Sequence, residues 1–359
     1  MKRKVGSMIL AGILSASVAM TSMAYYQQVD SIKGIHVAGI GSYAVCQDLG
    51  VKQAIWNVRV DDIASGQVGG EDRMLKENKQ HGISNTLIIQ NQWQTSMPDL
   101  LPVSEPADGA VLYGFNVSGE ANRAAVRSIA KTWANRYKDT ASNWVIGNEI
   151  NNGNAWNYMP QKELNAYTTD YATAFRIWYE EIKAANPDAN VYIPFDYRWN
   201  WPGGNGVGYF QAKDMMPILN SQLADTDYGI AWHAYPEDTT DPIFTDDASA
   251  TDSPNAPIIN MKNLHVLTDF MQQASYLSPQ GKVRHLILSE QGFNSTMGED
   301  RQSQAIAAAY EAAKANPYVE AFFLNREQDI SGGEQGFNFG LMNADGSKKA
   351  AYEVYKNLN

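Results

Sequence analysis

At 359 residues the chain is long enough for one large domain or two ordinary ones, and its 44% hydrophobic and 11% aromatic content supports a sizeable core, which excludes global disorder. The formal net charge of −11 argues against a nucleic-acid partner, since phosphate binding needs clustered Lys and Arg. No block of like charge stands out, and the acidic balance favours solubility.

The amino terminus reads as an export signal over 1–24. Lys2, Arg3 and Lys4 precede an apolar stretch from Met8 to Met20, and Ser22-Met23-Ala24 places small residues three and one positions before a cut. The stretch is short and rich in Ser and Gly for a membrane span, so cleavage is expected in preference to an uncleaved anchor. Cleavage after Ala24 takes the net charge from −11 to −14 and leaves a secreted protein, extracellular or periplasmic, with no stable membrane insertion. Cys46 is the single cysteine, so no disulfide forms within the chain, and it reads as a small buried apolar residue.

Beyond the signal, apolar runs alternate with helical patterns. Strands are predicted over 33–40, 54–60, 85–90, 144–149, 190–197, 228–235, 285–293 and 319–327. Helical segments fall near 42–49, 71–81, 120–137, 162–186, 208–223, 260–273, 301–315 and 348–357. The segment 162–186 is clearest, with Leu164, Tyr167, Tyr171, Ala174, Phe175, Trp178 and Ile182 at three- and four-residue spacing. Asn186-Pro187 stops it, and Asn316-Pro317 stops a later one. Eight alternations over 25–359 predict an α/β fold, a single (β/α)8 TIM barrel. The Gly-rich WPGGNGVG of 201–208 reads as a barrel loop rather than a linker.

This fold carries its chemistry on the rim at the carboxyl ends of its strands. NWVIGNEINNGNAWNYM delivers Glu149 at the end of the fourth strand, and HLILSEQGF delivers Glu290 on the seventh, nearly opposite on an eight-strand ring. Two carboxylates facing across the mouth suit glycosidic bond cleavage: one protonates the leaving oxygen, and the other attacks the anomeric carbon or activates water.

Asn148-Glu149 on the fourth strand with Glu290 on the seventh resembles the signature of clan A glycoside hydrolases, retaining (β/α)8 enzymes. The stretches NQW, WVIGNEINN, WNYM, AWHAYPE and ILSEQGF further resemble a bacterial barrel family catalogued as a domain of unknown function. The resemblance implies that Glu149 is the general acid/base and Glu290 the nucleophile, and that Asn148 holds the hydroxyl beside the anomeric carbon. His233 and Tyr235, at alternate positions on the sixth strand, share a face where such enzymes often carry a residue that orients the nucleophile. Many clan members end the eighth strand in a tryptophan. Here that region reads FFLNREQD, and Arg326 is expected to pair with Glu327 or Asp329 rather than with an acidic sugar.

Loop aromatics fit a sugar ligand, because pyranose rings have apolar faces and polar edges. Trp93, Trp156, Tyr158, Trp199 and Trp201 follow three successive strands, with Asn91, Gln92, Asn151, Asn152 and Arg198 as polar partners. The expected substrate-binding set is Asn148, His233, Tyr235, Trp93, Asn91, Trp156 and Trp199, with no cofactor and no metal and with an oligo- or polysaccharide as partner. The oligomeric state is open. No zinc, phosphate-loop or serine-elbow motif is found. Two alternatives stand beside a β-specific hydrolase: a catalytically silent sugar-binding barrel, and a metal-assisted enzyme using Glu149, Asp196 and Asp61 or Asp62.

Overall fold

The structure, a computed structural model, describes residues 25–160, 163–202 and 208–359. The predicted signal at 1–24 and most of the glycine-rich loop therefore lie outside the described residues. Eight parallel strands close into one barrel in sequence order: β1 (Lys33–His36), β2 (Gln53–Arg59), β3 (Ser84–Gln90), β4 (Asn143–Ile146), β5 (Asn190–Phe195), β6 (Gly229–His233), β7 (Leu286–Gly292) and β8 (Val319–Asn325). All eight predicted strands are present. Seven of them end earlier than the apolar runs suggested, because the chain turns out of the ladder as it reaches the rim, and β3 ends at Gln90 as expected.

Helices surround the barrel: α1 (Ser42–Leu49), α2 (Asp62–Ser65), α3 (Gly69–Gln80), α4 (Glu120–Tyr137), α5 (Leu164–Ala185), α6 (Ala212–Leu223), α7 (His265–Met271), α8 (Glu299–Ala315) and α9 (Ala350–Asn357). Seven of the eight predicted helices lie within a few residues of their expected bounds. The segment 260–273 is helical only over α7. There Asn263 accepts from the Asn260 amide through its side chain (2.9 Å) and Asn260 accepts from Lys262 (2.9 Å), local bonds that compete with a helical turn. Among the described residues no helix is long and apolar enough to cross a membrane.

Two cores hold the fold. Inside the barrel, Ile55, Ile88, Val145, Tyr192, Ala231, Ile287, Ala321 and Phe323 form a buried layer. Strand β1 contributes Gly34 to it, because a Cβ there would come within 2.7 Å of the Phe323 ring. Outside, the stripe read from α5 packs on the strands: Tyr167, Tyr171, Ala174, Phe175, Trp178 and Ile182 are all buried, as is Cys46. The barrel is filled rather than hollow, so a site can form only at its ends.

Candidate active site

The chain leaves β4 through a turn with two residues in the left-handed region. Gly147 takes φ +87° and Glu149 φ +37°, the left-handed region that costs a non-glycine residue of order 1–3 kcal/mol and is over-represented at functional sites. The turn is held on both sides. The Gly147 amide donates to Ile89 (2.9 Å) and the Ile150 amide to Pro194 (3.0 Å), while the α5 tyrosines Tyr171 and Tyr167 donate their hydroxyls to the carbonyls of Ile146 and Ile150 (both 2.8 Å). Glu149 thus stands in the loop three residues past the last ladder residue of β4, a correction to its placement on the strand, and its carboxylate points into the barrel mouth.

Glu290 is delivered differently. It lies within β7, where the register against both neighbours slips: Trp232 and His233 of β6 face Leu288 and Glu290, while Leu288 and Gln291 face Phe322 and Leu324 of β8. The extra residue is a bulge, a device that re-aims a side chain at a barrel rim.

Strand β6 serves both carboxylates. Nδ1 of His233 lies 3.0 Å from Oε1 of Glu149, and the Tyr235 hydroxyl, two residues on and just past the strand, donates to Oε1 of Glu290 at 2.7 Å. Period-two alternation puts both side chains on one face. Burial raises the Glu149 pKa above the ordinary carboxylate range; the His233 bond pulls it down, and the charges of Asp196 and Glu290 push it up. For His233 burial pulls the pKa down, but the carboxylates of Glu290 and Glu149 overcome it and the net shift is upward. Burial and the Glu290 charge drive the Tyr235 hydroxyl well above its usual value, so it remains a donor.

The two glutamates open onto a cleft of ≈ 250 Å³ that also takes in Asn148, Trp156, Asp196, Arg198 and Tyr235. Asn148 is buried and its Oδ1 has no partner among the described residues, an acceptor free for a ligand donor. A larger cavity, ≈ 530 Å³, lies at the opposite end of the barrel, around the first residues of β2, β4 and β5, away from both glutamates.

Four expected sugar contacts are placed elsewhere: His233 is fully buried behind Glu149, outside the cleft lining, and three others lie off the cleft. Trp199 is fully buried, donating from Nε1 to Pro254 (3.0 Å) and packing on Trp232 and Phe270; its apolar ring is worth more in the core than on the rim. Asn91 is buried and donates to the carbonyls of Leu100 and Gly114 (both 3.1 Å), fastening the loop after β3. Trp93 lines a separate cavity with Pro98, Leu101 and Asn116. Arg326 pairs with neither Glu327 nor Asp329. It reaches Glu334 at 3.3 Å, while Glu327 accepts from the Ala38 amide (2.7 Å) and Asp329 pairs with Lys349 (2.6 Å).

Sequence reasoning missed the loop after β8, which sends Glu334, Phe337 and Phe339 into the cleft. The glycines of SGGEQGF, with Gly332, Gly333 and Gly336 all at positive φ, were the signal for a turn on the rim that carries both glutamates. It also missed His36 at the end of β1, a buried residue whose pKa falls to about 4 through burial and the nearby Arg326 charge. Among the described residues no three His, Cys, Asp or Glu side chains are gathered as metal ligands. Asp196 is taken up by Asn151 and Arg198, and Asp61 by Arg59.

Comparison with solved structures finds the same fold. A family 39 glycoside hydrolase from the gut symbiont Bacteroides cellulosilyticus aligns with TM-score 0.67 at 16% identity, covering 90% of this chain and 62% of that one. A family 1 β-glucosidase from Thermotoga maritima aligns at 0.56 and 10% identity, covering 88% and 84%. A GH5_18 protein from Bifidobacterium longum, in complex with Manb1-4GlcNAc, aligns at 0.59 and 12%, covering 91% and 77%. The chain spans about three-fifths of the length of the family 39 enzyme and 34% of a Bacteroides uniformis β-glucuronidase that it also resembles. No curated protein matches. A family model covers residues 64–359, and the chain accordingly belongs to the family of unknown function DUF5722.

Proposed function

We propose that the protein is a secreted, retaining glycoside hydrolase acting on β-linked glycans by double displacement, with Glu149 as general acid/base and Glu290 as nucleophile. The observation that carries this reading is the pair of carboxylates lining one cleft, one partnered by His233 at the end of β6 and the other by Tyr235 just past it. Glu149 sits in burial that favours its protonated form, as an acid needs. Glu290 accepts the Tyr235 hydroxyl, as a nucleophile's anion needs. Glu149 then protonates the leaving oxygen as Glu290 attacks the anomeric carbon. In the second step Glu149 takes a proton from water as the water oxygen attacks the anomeric carbon and breaks its bond to Glu290, which releases the sugar and restores both groups. Asn148 offers its unmet amide oxygen to a sugar hydroxyl, and Trp156 a partly exposed ring.

The test is the pH profile of kcat/KM on an aryl β-glycoside. Activity falls as pH rises through the Glu149 pKa, because the acid is then ionised. The His233 interaction lowers that pKa, so His233→Asn moves the alkaline limb to higher pH. Absence of turnover on every aryl β-glycoside tried sinks the reading, and an alkaline limb that does not move removes His233 from it.

Export is part of the same proposal. The mature chain begins at or near Tyr25, and amino-terminal sequencing of protein from the medium or periplasm checks it. Recovery of intact Met1 there counts against cleavage.

A further inference from the structure

We infer that Glu334 sets the charge class of the sugar held beside Glu290, admitting uncharged glycones and rejecting uronates. The inference rests on the glycosidase reading of the same cleft and adds the substrate class to it.

The residue is built into the site. The Asn325 side chain, buried at the end of β8, donates both to the Tyr235 hydroxyl (3.2 Å) and to Oε2 of Glu334 (3.3 Å). Tyr235 in turn donates to Glu290. One run of hydrogen bonds therefore joins the nucleophile to Glu334, and both carboxylates line the cleft.

Recognition of a carboxylated sugar needs an uncommitted cation, best of all a guanidinium in bidentate geometry. Each cation placed near the nucleophile among the described residues faces a carboxylate that offsets its charge or is held neutral, although the buried Nε of Arg326 keeps an unmet donor. Arg326 pairs with Glu334, Arg198 with Asp196, and His233 with Glu149, while His36 is held neutral by burial. With Glu149 protonated as the acid, the described cleft lining still holds Asp196, Glu290 and Glu334 against Arg198 alone. A sugar carboxylate would enter a field already negative. Burial, with the Glu290 charge second, raises the Glu334 pKa, while the Arg326 charge and the Asn325 and Arg326 hydrogen bonds act to keep it ionised. Like charges brought together inside a site cost several kcal/mol, and each 1.4 kcal/mol is tenfold, so the discrimination amounts to at least about 100-fold.

The full mature chain, Glu334→Gln and Glu334→Gln/Arg326→Gln are titrated by calorimetry with cellobiose and with its counterpart ending in β-linked glucuronic acid. Turnover is measured in parallel on 4-nitrophenyl β-glucoside, β-galactoside and β-glucuronide. The wild type binds the neutral disaccharide in preference. Glu334→Gln frees Arg326 and narrows the preference by about tenfold or more, and the double variant loses that gain. Arg326→Gln alone, with Glu334 kept, still rejects the uronate, so the inference stays testable if Glu334→Gln misfolds. A wild type that prefers the uronate, an Arg326→Gln that accepts it, or a preference unchanged in Glu334→Gln overturns the inference. Binding that follows the expected ratios without cleavage of any nitrophenyl sugar defeats the hydrolase reading and leaves the charge class standing. Cleavage with a ratio indifferent to Glu334 does the reverse.

Discussion

Glu149→Ala supplied with azide converts an aryl β-glycoside into the β-glycosyl azide, whereas Glu290→Ala yields the α-azide. A good leaving group needs little protonation, so without Glu149 the first displacement still occurs and the sugar becomes attached to Glu290. That ester then persists because no base activates water. Azide needs no base and attacks from the face opposite Glu290, which restores the starting configuration. Without Glu290 the small anion occupies the vacated space and displaces the aryl group directly, in one inversion. On a natural substrate with a poor leaving group, loss of the acid lowers turnover by about 10²–10⁴-fold, and loss of the nucleophile closes the covalent route altogether. The measurement is NMR assignment of the azide anomers. Reversed stereochemistry would exchange the two roles, and near-normal activity of both variants on natural substrate would be fatal to the double-displacement reading.

Trp199→Ala destabilises the protein, whereas Trp156→Ala weakens binding. Trp199 has no solvent-exposed surface, gives its indole hydrogen to Pro254, and meets Trp232 and Phe270 edge-on with centroids 6.2 and 4.8 Å away. Truncating a ring so enclosed removes its burial and leaves a cavity, a loss of about 3–5 kcal/mol. Trp156 lines the cleft and is only partly covered. Its removal costs a sugar ring the contact with one aromatic face, of the order of 0.5–1.5 kcal/mol, with the fold retained. Chemical denaturation of both variants, alongside oligosaccharide titration of the folded protein, separates the two. Native stability in Trp199→Ala would show that its neighbours collapse into the space, and lost stability in Trp156→Ala would make it a packing residue.

The division between these two tryptophans shows where sequence reasoning stops. Both follow a strand, both lie among polar loop residues, and neither periodicity nor composition separates them. Trp199 is buried because the segment carrying Pro254 and Pro257 folds back over it, with Pro257 accepting the amides of Trp199 and Asn200 (3.0 and 3.1 Å). That contact spans more than fifty residues of chain. Asn91 is similar: its amide looks free in sequence and is spent on two carbonyls of a loop that returns to it.

What the sequence determined by itself is the barrel and the position of its two glutamates around the ring. Eight apolar runs alternating with helical stripes leave little freedom, since parallel strands must be joined by covering helices and the strand count closes the sheet. Once the count is known, the carboxyl ends of the fourth and seventh strands face each other. Tertiary structure alone decided the details that bear on chemistry. The β7 bulge that turns Glu290 inward arises from register against two neighbouring strands, and the pairing of His233 with Glu149 but of Tyr235 with Glu290 depends on where the turn after β4 ends. The approach of Glu334 to Asn325 and Arg326 depends on how a glycine-rich loop folds back on the strand before it. Such contacts are fixed by packing between segments distant in the chain, and a one-dimensional pattern carries only the periodicity of each segment on its own.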